Sequence, residues 1–418
     1  MYLVKEKNLM LEDSYTYPNP VNSFSLFISF ILMMLGYIYE ADILGFSGAA
    51  LFLYAGLVLF FLSSRSLLRH IAFSFYEIVC DISLLVFIIL NWFLQRQFGF
   101  VEVFEIDKSY ITTITLFLVA TLLPKITERI DFSGLTKLYV NIVFINALIV
   151  LVEFVLMLFS IPVKVFPWQA FLERPSGIFM EPSYYGQFSI LLPFISKDIF
   201  SKSRTKIFII ILSLISTFSL FCFLSLFLLV LRITFETTNT RNKLILISVL
   251  IVLVSFSLLI FIQDPVGISV NLPGLERVET FIALFSTKNQ DLTQDLSTFY
   301  RVFSGLYVIR YESLDRLMLG YGPGDSRVIT RNYKGRVYRH EITSWYFING
   351  LSSSILGFGL PLYIVLSLYL LSKVGLLRFL PLFLVTLVDA KPLAHPYFVF
   401  LFFLSVILKE QKFQFLSK

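Results

Sequence analysis

The stretch LILISVLIVLVSFSLLIFI, residues 244–262, is followed directly by a polar segment that begins QDPVG (263–267). An uncharged, mostly apolar run of this length can cross a bilayer as a helix. The polar segment continues to His340 and interrupts a chain that otherwise consists of apolar runs. A cationic loop beside a hydrophobic bundle suits an anionic ligand that carries a lipid tail. The Lys and Arg residues of the segment are Arg277, Lys288, Arg301, Arg310, Arg316, Arg327, Arg331, Lys334, Arg336 and Arg339.

The overall composition is that of a membrane protein. Hydrophobic residues make up 57% of the 418 residues, charged residues 15%, and the mean hydropathy is +0.81. We therefore predict an all-α polytopic membrane protein with roughly 10–12 transmembrane helices, including a short helical hairpin. The predicted spans are 23–39, 42–62, 71–94, 110–123, 138–160, 178–195, 207–231, 244–262, 345–372, 376–390 and 394–408. The predicted domains are an N-terminal transmembrane bundle (1–262), a large extracytoplasmic loop (263–344) and C-terminal transmembrane helices with a cytoplasmic tail (345–418).

The distribution of Lys and Arg over short loops predicts the orientation of the helices. With a cytoplasmic N-terminus, the short basic loops of the first half lie in the cytoplasm, whereas the acidic loop 95–109 lies outside. The apolar segment 207–231 decides the remaining topology. A single crossing would place the basic residues after it outside, but a hairpin that turns at Ser216–Ser219 (STFS) keeps them in the cytoplasm. We therefore predict the hairpin, an extracytoplasmic loop and a cytoplasmic C-terminus.

The cysteine content and the charge exclude several classes of protein. Cys80 and Cys222 are the two cysteines of the chain, and both lie inside apolar runs. They offer neither a disulfide framework nor a cysteine-based metal site. The net charge of +6 comes without any nucleic-acid-binding motif, so we predict no nucleic-acid partner.

The segment ERPSGIFMEPS, residues 173–183, is the first block with the features of a functional site. Its two prolines and its glycine indicate irregular backbone, which is tolerated at membrane depth only beside protein or a water-filled cavity. Arg174 and Glu181 enter this setting together, and they predict a phosphate-binding arginine beside a carboxylate. An ion pair that only stabilises the start of a helix is the alternative interpretation.

Two further blocks flank the end of the polar loop. The second block runs from Arg301 to LGYGPGD at 319–325, and its glycines predict a turn that brings the following residues back toward Arg301. The third block runs from His340 and Glu341 to LGFG at 356–359. A lone histidine is usually structural, but the position of His340 where the loop re-enters the membrane indicates a functional role.

In this order, the three blocks resemble the O-antigen polymerase and ligase superfamily, and most of all its Wzy-type polymerases. The resemblance implies a GT-C-like glycosyltransferase of the bacterial inner membrane, with the large loop in the periplasm. It implies undecaprenyl-diphosphate-linked oligosaccharides as donor and acceptor, with no requirement for metal or nucleotide sugar. Membrane lipid and a chain-length regulator are the other partners that it implies.

The resemblance also assigns binding roles. Arg174 and Arg301 are the candidates for holding the diphosphate, because the planar guanidinium binds phosphate oxygens through two nitrogens. Arg310 and Arg327 are expected to assist them. The remaining loop arginines are interpreted as a solvated or glycan-contacting surface.

Catalytic roles follow from the same resemblance. His340 would orient or deprotonate the acceptor hydroxyl, since histidine titrates near neutral pH. Glu181 is the second candidate base, and Glu341 is held in reserve. The chain departs from the family in two places: the STFS turn lacks the arginine that many ligases carry, and no obvious acidic residue follows the histidine by a few turns.

Two other functions fit parts of the sequence. An O-antigen ligase would transfer the glycan to lipid A-core; the Glu-Pro-Ser of the first block favours the polymerase, and the histidine block partly favours the ligase. A transporter or flippase of lipid-linked sugars would show inverted halves and polar groups near the bilayer midplane. Among the ionisable residues within predicted spans, Glu77, Asp81, Glu153 and Asp389 stand out, and they are interpreted as structural pairs.

Overall fold

A computed structural model of the protein describes residues 23–38, 42–43, 46–68, 71–99, 103–127, 132–159, 161, 175–179, 181–195, 204–217, 219–236, 309–310, 312–323, 350–388, 393 and 395–414. The predicted span 244–262 and most of the loop 263–344 lie outside these residues. The predicted domain boundaries at both ends of the loop therefore stay predictions.

The described chain is almost entirely helical. Helices form from its apolar runs because a helix pairs its backbone polar groups within one segment, without water. A two-residue antiparallel strand pair, β1 with β2, precedes the second helix. The elements are α1 (Ser23–Ile38), β1 (Asp42–Ile43), β2 (Phe46–Ser47), α2 (Gly48–Ser63), α3 (Arg65–Leu68), α4 (Phe75–Phe98), α5 (Val103–Thr127), α6 (Ser133–Leu158), α7 (Pro182–Ser189), a 3-10 helix (Leu192–Phe194), α8 (Arg204–Ser216), α9 (Leu220–Glu236), α10 (Leu314–Leu319), α11 (Gly350–Phe358), α12 (Leu360–Val374), α13 (Leu376–Val388) and α14 (Pro396–Gln414).

Within the described ranges, three helices are long and apolar enough to cross a membrane, namely α4, α5 and α6. Shorter apolar helices accompany them, among them α1, α2, α8, α12 and α14. These helices confirm the prediction of an all-α membrane protein at the level of fold class. The side of the membrane on which each loop lies stays a prediction.

Helices α4 and α5 run antiparallel, as two pairs of contacts show. At the start of α4, Glu77 pairs with Lys125 near the end of α5 at 2.8 Å. At the other end, the Trp92 indole N–H donates to Asp107 of α5, also at 2.8 Å. The predicted span 110–123 is shorter than α5. Asp107 and Lys125, which lie just outside the predicted span, are part of the helix and pair with residues of α4.

Helix α14 is surrounded by other helices. Each side chain from Tyr397 to Leu408 is buried, and the helix packs against α1, α2, α5, α12 and α13. Ring contacts fix its position: Phe400 lies 6.0 Å from Phe30 of α1, and Phe403 lies 5.1 Å from Phe60 of α2. An apolar sequence on all sides of a helix suits either lipid or a protein core, and in α14 the neighbouring helices provide the core.

Helix α4 is different, since only 22% of its apolar stretch is buried inside the protein. The spacing of its buried residues by three and four defines one inward face of a helix. That inward face carries the polar groups, whereas the outward face is apolar, as expected where lipid surrounds the protein. The buried residues are Asp81, Leu84, Ile88, Asn91 and Gln95.

The predicted helix break at Ser216–Ser219 is confirmed. Helix α8 ends at Ser216, α9 begins at Leu220, and the two helices pack against each other. The hydroxyls of Ser216 and Thr217 donate to carbonyls three residues earlier, at 3.0 and 2.9 Å. Such local bonds compete with the helical pattern and end α8 at the polar cluster.

Two predicted single spans are wrong. The span 178–195 is divided into α7 and a 3-10 helix, and the eight residues of α7 extend about 12 Å, too short to cross a bilayer. Pro193 lies within the 3-10 helix, where its missing N–H and fixed φ prevent a regular α-helix. The span 345–372 is divided between α11 and α12 at Gly359, whose φ is +83°.

Candidate functional site

The structure describes two of the residues predicted for the site, Glu181 and Arg310. Their roles stay predictions, as do those of the residues outside the described ranges. The predicted residues outside those ranges are Arg174, Arg301, Arg327, His340 and Glu341. The described parts of the three blocks nevertheless show how the surrounding backbone is held.

Residues 175–179 of the first block are bound to side chains of α6. The amides of Ser176 and Gly177 both donate to one carboxylate oxygen of Glu153, at 2.9 and 2.8 Å. The next amide, that of Ile178, donates to Oδ1 of Asn146 at 2.7 Å. Three consecutive backbone N–H groups are therefore held by two side chains of one helix. We call residues 175–179 with Glu153 and Asn146 the loop cradle.

The cradle is buried and geometrically restrictive. Glu153 is 1% exposed and Asn146 is fully buried. They lie seven residues apart, and that spacing puts both on one face of α6. Gly177 has a φ of +64°, and a Cβ there would lie 2.1 Å from Asn146 Oδ1. Glycine is therefore required at 177 by both its backbone conformation and the available space.

Two hydrogen bonds from backbone amides explain how a carboxylate can lie inside an apolar bundle. Removing a carboxylate from water is unfavourable unless hydrogen-bond donors replace the lost solvation. Ser176 and Gly177 supply two such donors to Glu153. In the sequence, an ionisable residue within a predicted span is the one sign of this role, because the partners of Glu153 are backbone groups 23 and 24 residues away.

Glu181 lies at the junction between the loop and α7. Its backbone is extended, and Pro182 occupies the first position of the helix. The Ser183 hydroxyl donates to Glu181 Oε2 at 3.1 Å. The predicted alternative, in which an Arg174–Glu181 ion pair stabilises the helix start, is not tested because Arg174 lies outside the described residues.

Side chains from neighbouring helices bind the carbonyls of α7. The Tyr37 hydroxyl of α1 donates to the Tyr184 carbonyl at 3.3 Å, and the Tyr139 hydroxyl of α6 donates to that of Phe188. A short helix leaves its last four carbonyls without partners inside the helix. Inside an apolar bundle these groups need donors from elsewhere, and the Tyr139 hydroxyl provides one of them to Phe188, whereas the Tyr184 carbonyl lies before the last four.

Helix α9 also packs against α7 and forms hydrogen bonds with its backbone. Ser225 donates to the Gly186 carbonyl at 2.6 Å, and the Cys222 thiol donates to the Pro182 carbonyl at 3.3 Å. A Cβ on Gly186 would lie 2.5 Å from the Cys222 amide nitrogen. The absence of a side chain at 186 thus permits the contact between the hairpin and α7, and Cys222 has a packing role there.

The second and third blocks contact each other through their glycine motifs. The Tyr321 amide donates to the Leu356 carbonyl at 2.7 Å, and the Gly322 amide donates to the Gly357 carbonyl at 3.1 Å. The predicted turn in LGYGPG therefore docks on α11, and its relation to Arg301 stays untested. We call residues 320–323 with 356–359 the glycine clasp.

The close approach in the clasp depends on missing side chains. Gly320 has a φ of +82°, and a Cβ there would lie 2.4 Å from the Gly357 carbonyl oxygen. A Cβ on Gly359 would lie 2.3 Å from the carbonyl oxygen of Met318. From the end of α4, the buried Gln95 side chain donates to the Leu319 carbonyl. The clasp thus joins α10 and α11 to the C-terminal end of α4.

The described part of the cationic loop contains α10 and the residues next to it. The Tyr321 hydroxyl donates to Glu312 Oε2 at 2.6 Å, and the Arg316 guanidinium lies 5.5 Å from the centre of the Tyr321 ring. Arg310 is exposed just before this helix. Its predicted role in binding the diphosphate stays a prediction.

Histidine, cysteine and acidic side chains, the usual ligands of metal ions, occur among the residues that the structure describes. Among them, no group of three or more His, Cys, Asp or Glu side chains is arranged to hold a metal ion. No protein-family model matches the chain, and no curated protein matches it either.

Proposed function

We propose that the protein is an O-antigen-polymerase-type glycosyltransferase with a GT-C-like architecture in the bacterial inner membrane. It joins undecaprenyl-diphosphate-linked oligosaccharide repeat units at the periplasmic face, without a metal ion. The N- and C-termini are cytoplasmic and the large loop is periplasmic. The glycine clasp is the observation that carries this proposal, because it joins two of the three blocks on which the family resemblance rests.

The positions of the two anchored regions along the long helices support a single site. Glu153, which holds the first block, lies near the end of α6, and Gln95, which contacts the clasp, lies near the end of α4. Helices α4 and α5 are antiparallel. The connection 128–132 between α5 and α6 is short, and short connections favour antiparallel neighbours. The ends of α4 and α6 then emerge on the same side of the membrane.

The proposed reaction needs an activated donor and little covalent chemistry from the protein. The bond between the anomeric carbon and the diphosphate oxygen breaks, and undecaprenyl diphosphate leaves with the electron pair. The acceptor hydroxyl oxygen forms the new bond to the anomeric carbon, and its proton passes to His340 or Glu181. Arg174 and Arg301 stabilise the charge of the leaving diphosphate, with Arg310 and Arg327 assisting. Positioning and charge stabilisation account for most of the acceleration.

The test uses purified full-length protein in liposomes. Undecaprenyl-diphosphate-linked repeat units, extracted from cells in which the gene is deleted, are supplied as the only substrate. We expect a ladder of products that grows by one repeat unit, with the same rate in the presence of a chelator. A protein that leaves the repeat units unjoined under these conditions would overturn the proposed function.

The phenotype of the gene deletion separates the other two functions. Loss of a polymerase leaves a single repeat unit on lipid A-core, whereas loss of a ligase leaves the core free of O-antigen. Loss of a flippase leaves repeat units on the cytoplasmic face, where a periplasmic glycosidase does not reach them. We expect the first of these phenotypes.

A further inference from the structure

We propose that Glu153, assisted by Asn146, is a positioning residue for the glycosyl transfer reaction. This inference rests on the proposed function. It assigns a role to Glu153, a buried carboxylate that takes no direct part in the proposed reaction. Glu153 would act through the backbone of residues 176–178, which it holds between the two predicted site residues of the first block, Arg174 and Glu181.

The geometry of the loop cradle carries the first step of the argument. Three successive amides, from Ser176 to Ile178, are bound by two side chains of α6 at 2.7 to 2.9 Å. A loop held only by its ends would have several accessible conformations, whereas three adjacent fixed amides leave few. The cradle thus determines the backbone path of this segment.

Sequence proximity connects that path to the proposed site. Arg174 directly precedes Pro175 in the sequence, and Glu181 follows Ile178 by three residues. Pro175 is buried and Glu181 directly precedes α7, so the fixed amides lie between two constrained points. A shift of this backbone would move both site residues together.

The type of side chain at 153 is informative. Packing alone would be satisfied by an apolar residue of similar volume, which carries no desolvation penalty. A carboxylate with 1% exposure, bound to two amides through one oxygen, is instead suited to fixing backbone geometry. Bonds of amides to an ionised acceptor are stronger than those to a neutral one.

Two substitutions of Glu153 distinguish a role in positioning the loop from a role in stability alone. Glu153→Ala removes the acceptor, and Glu153→Gln keeps an acceptor oxygen but removes the charge. In the liposome assay we expect the kcat of Glu153→Ala to fall about 10²-fold with little change in KM, since small misplacement of site residues has effects of this size. Glu153→Gln should retain more activity than Glu153→Ala. Asn146→Ala, which frees one amide, should have a smaller effect than Glu153→Ala.

The matched control is Asp81→Asn. Asp81 is also a buried carboxylate, but it accepts from the Tyr369 hydroxyl at 2.8 Å on a different part of the bundle. We expect turnover per folded molecule to stay at the wild-type level in Asp81→Asn. A comparable loss of kcat in this control would show a general effect of removing buried carboxylates and would overturn the positioning role.

Hydrogen exchange provides a readout that does not depend on activity. Peptides covering residues 175–179 should exchange about 10- to 100-fold faster in Glu153→Ala than in the wild type, and should be unchanged in Asp81→Asn. If Glu153→Ala fails to accumulate, Glu153→Gln is compared in its place. Unchanged exchange, or a variant that lowers only the amount of folded protein while kcat stays normal, would refute the inference.

The outcomes also distinguish this inference from the proposed function. A wild-type protein that does not polymerise the repeat units overturns both. A wild type that polymerises, together with a Glu153→Ala variant of normal kcat and KM, overturns the positioning role alone.

Discussion

The loop cradle and the glycine clasp hold two predicted functional segments by different means. In the cradle, a carboxylate and an amide side chain of α6 accept from three backbone N–H groups of residues 176–178. In the clasp, backbone amides at 321 and 322 donate directly to backbone carbonyls at 356 and 357. One region depends on particular side chains, and the other depends on their absence.

The difference predicts how each region responds to substitution. The cradle should tolerate conservative changes that keep an acceptor, because its geometry is set by oxygen atoms on side chains. The clasp should tolerate none at Gly320, because any Cβ meets backbone atoms that cannot move independently of α11. Both regions contain glycines with positive φ, but only the cradle also needs a buried charge.

The largest effect is expected from Arg174→Ala and Arg301→Ala. Arg174 belongs to the block that contains the loop cradle, and Arg301 belongs to a block that contributes to the glycine clasp. Each should abolish polymer longer than one repeat unit while the protein still accumulates in the membrane, because a charge-assisted contact to the diphosphate is lost. Gel analysis of the polysaccharide and immunoblotting of the membranes measure the two quantities. Arg336→Ala in the same loop as Arg301 is the control and should give normal chain lengths. Normal chain lengths in both test variants would remove the proposed diphosphate site.

His340→Ala is expected to have the next largest effect. The clasp ties Gly322 to Gly357 at 3.1 Å, and His340, which is outside the described residues, comes between them in the sequence. If His340 is the general base, transfer should slow by about 10²–10⁴-fold in the liposome assay. A wild-type rate would return His340 to a structural role and would leave Glu181 as the candidate base.

A series of glycine substitutions measures what the clasp contributes to stability. Gly320→Ala combines an unfavourable φ of +82° with a collision against the Gly357 carbonyl, and should lower the free energy of unfolding by about 3 kcal/mol. Thermal unfolding in detergent, followed by intrinsic fluorescence, is the measurement.

Two glycines outside the clasp serve as controls for this series. Gly375 has a φ of +79° with open space around its Cβ position, so Gly375→Ala should cost about 1–2 kcal/mol from conformation alone. Gly134 begins α6 in open space, and Gly134→Ala should be neutral or stabilising by about 0.5 kcal/mol. Equal destabilisation by Gly320→Ala and Gly375→Ala would contradict the close packing of the clasp.

The smallest effect is expected beside the cradle, where Ser225 binds the Gly186 carbonyl at 2.6 Å. Ser225→Ala leaves that carbonyl without this donor and should lower stability by about 1–2 kcal/mol. Ser63→Ala is the control, because the Ser63 hydroxyl bonds the Leu59 carbonyl within its own helix and its loss should change stability by less than about 0.5 kcal/mol. Indistinguishable unfolding temperatures for the two variants would argue against α9 as a support of α7.

The fold class could be predicted from the sequence, because a helix that crosses a membrane must be apolar along its length, and hydropathy measures that property directly. The break at Ser216–Ser219 was also predictable, since a cluster of hydroxyl side chains in an apolar run has a local cause. The division of the span 178–195 into α7 and a 3-10 helix was not predicted, although Pro182 and Pro193 are visible in the sequence. Hydropathy measures how apolar a segment is, whereas the length of α7 depends on proline geometry and on donors from α1, α6 and α9.

The supports of the candidate site were harder to predict than its motifs. Arg174 and Glu181 belong to a compact motif that can be recognised along the chain. Glu153 acts across 23 residues on backbone amides, which have no sequence signature of their own. Similarly, the pairing of the two glycine motifs in the clasp joins residues about 35 positions apart, and glycine runs indicate turns without identifying what packs on them.

The central position of α14 has a consequence for the biogenesis of the protein. This helix leaves the ribosome after every other helix that the structure describes, yet α1, α2, α5, α12 and α13 pack against it. The helices made earlier therefore enter the membrane before their common partner exists, and their inner faces contact lipid or the insertion machinery until residues 396–414 arrive. We therefore expect the packing of these five helices to be completed only after residues 396–414 have been made.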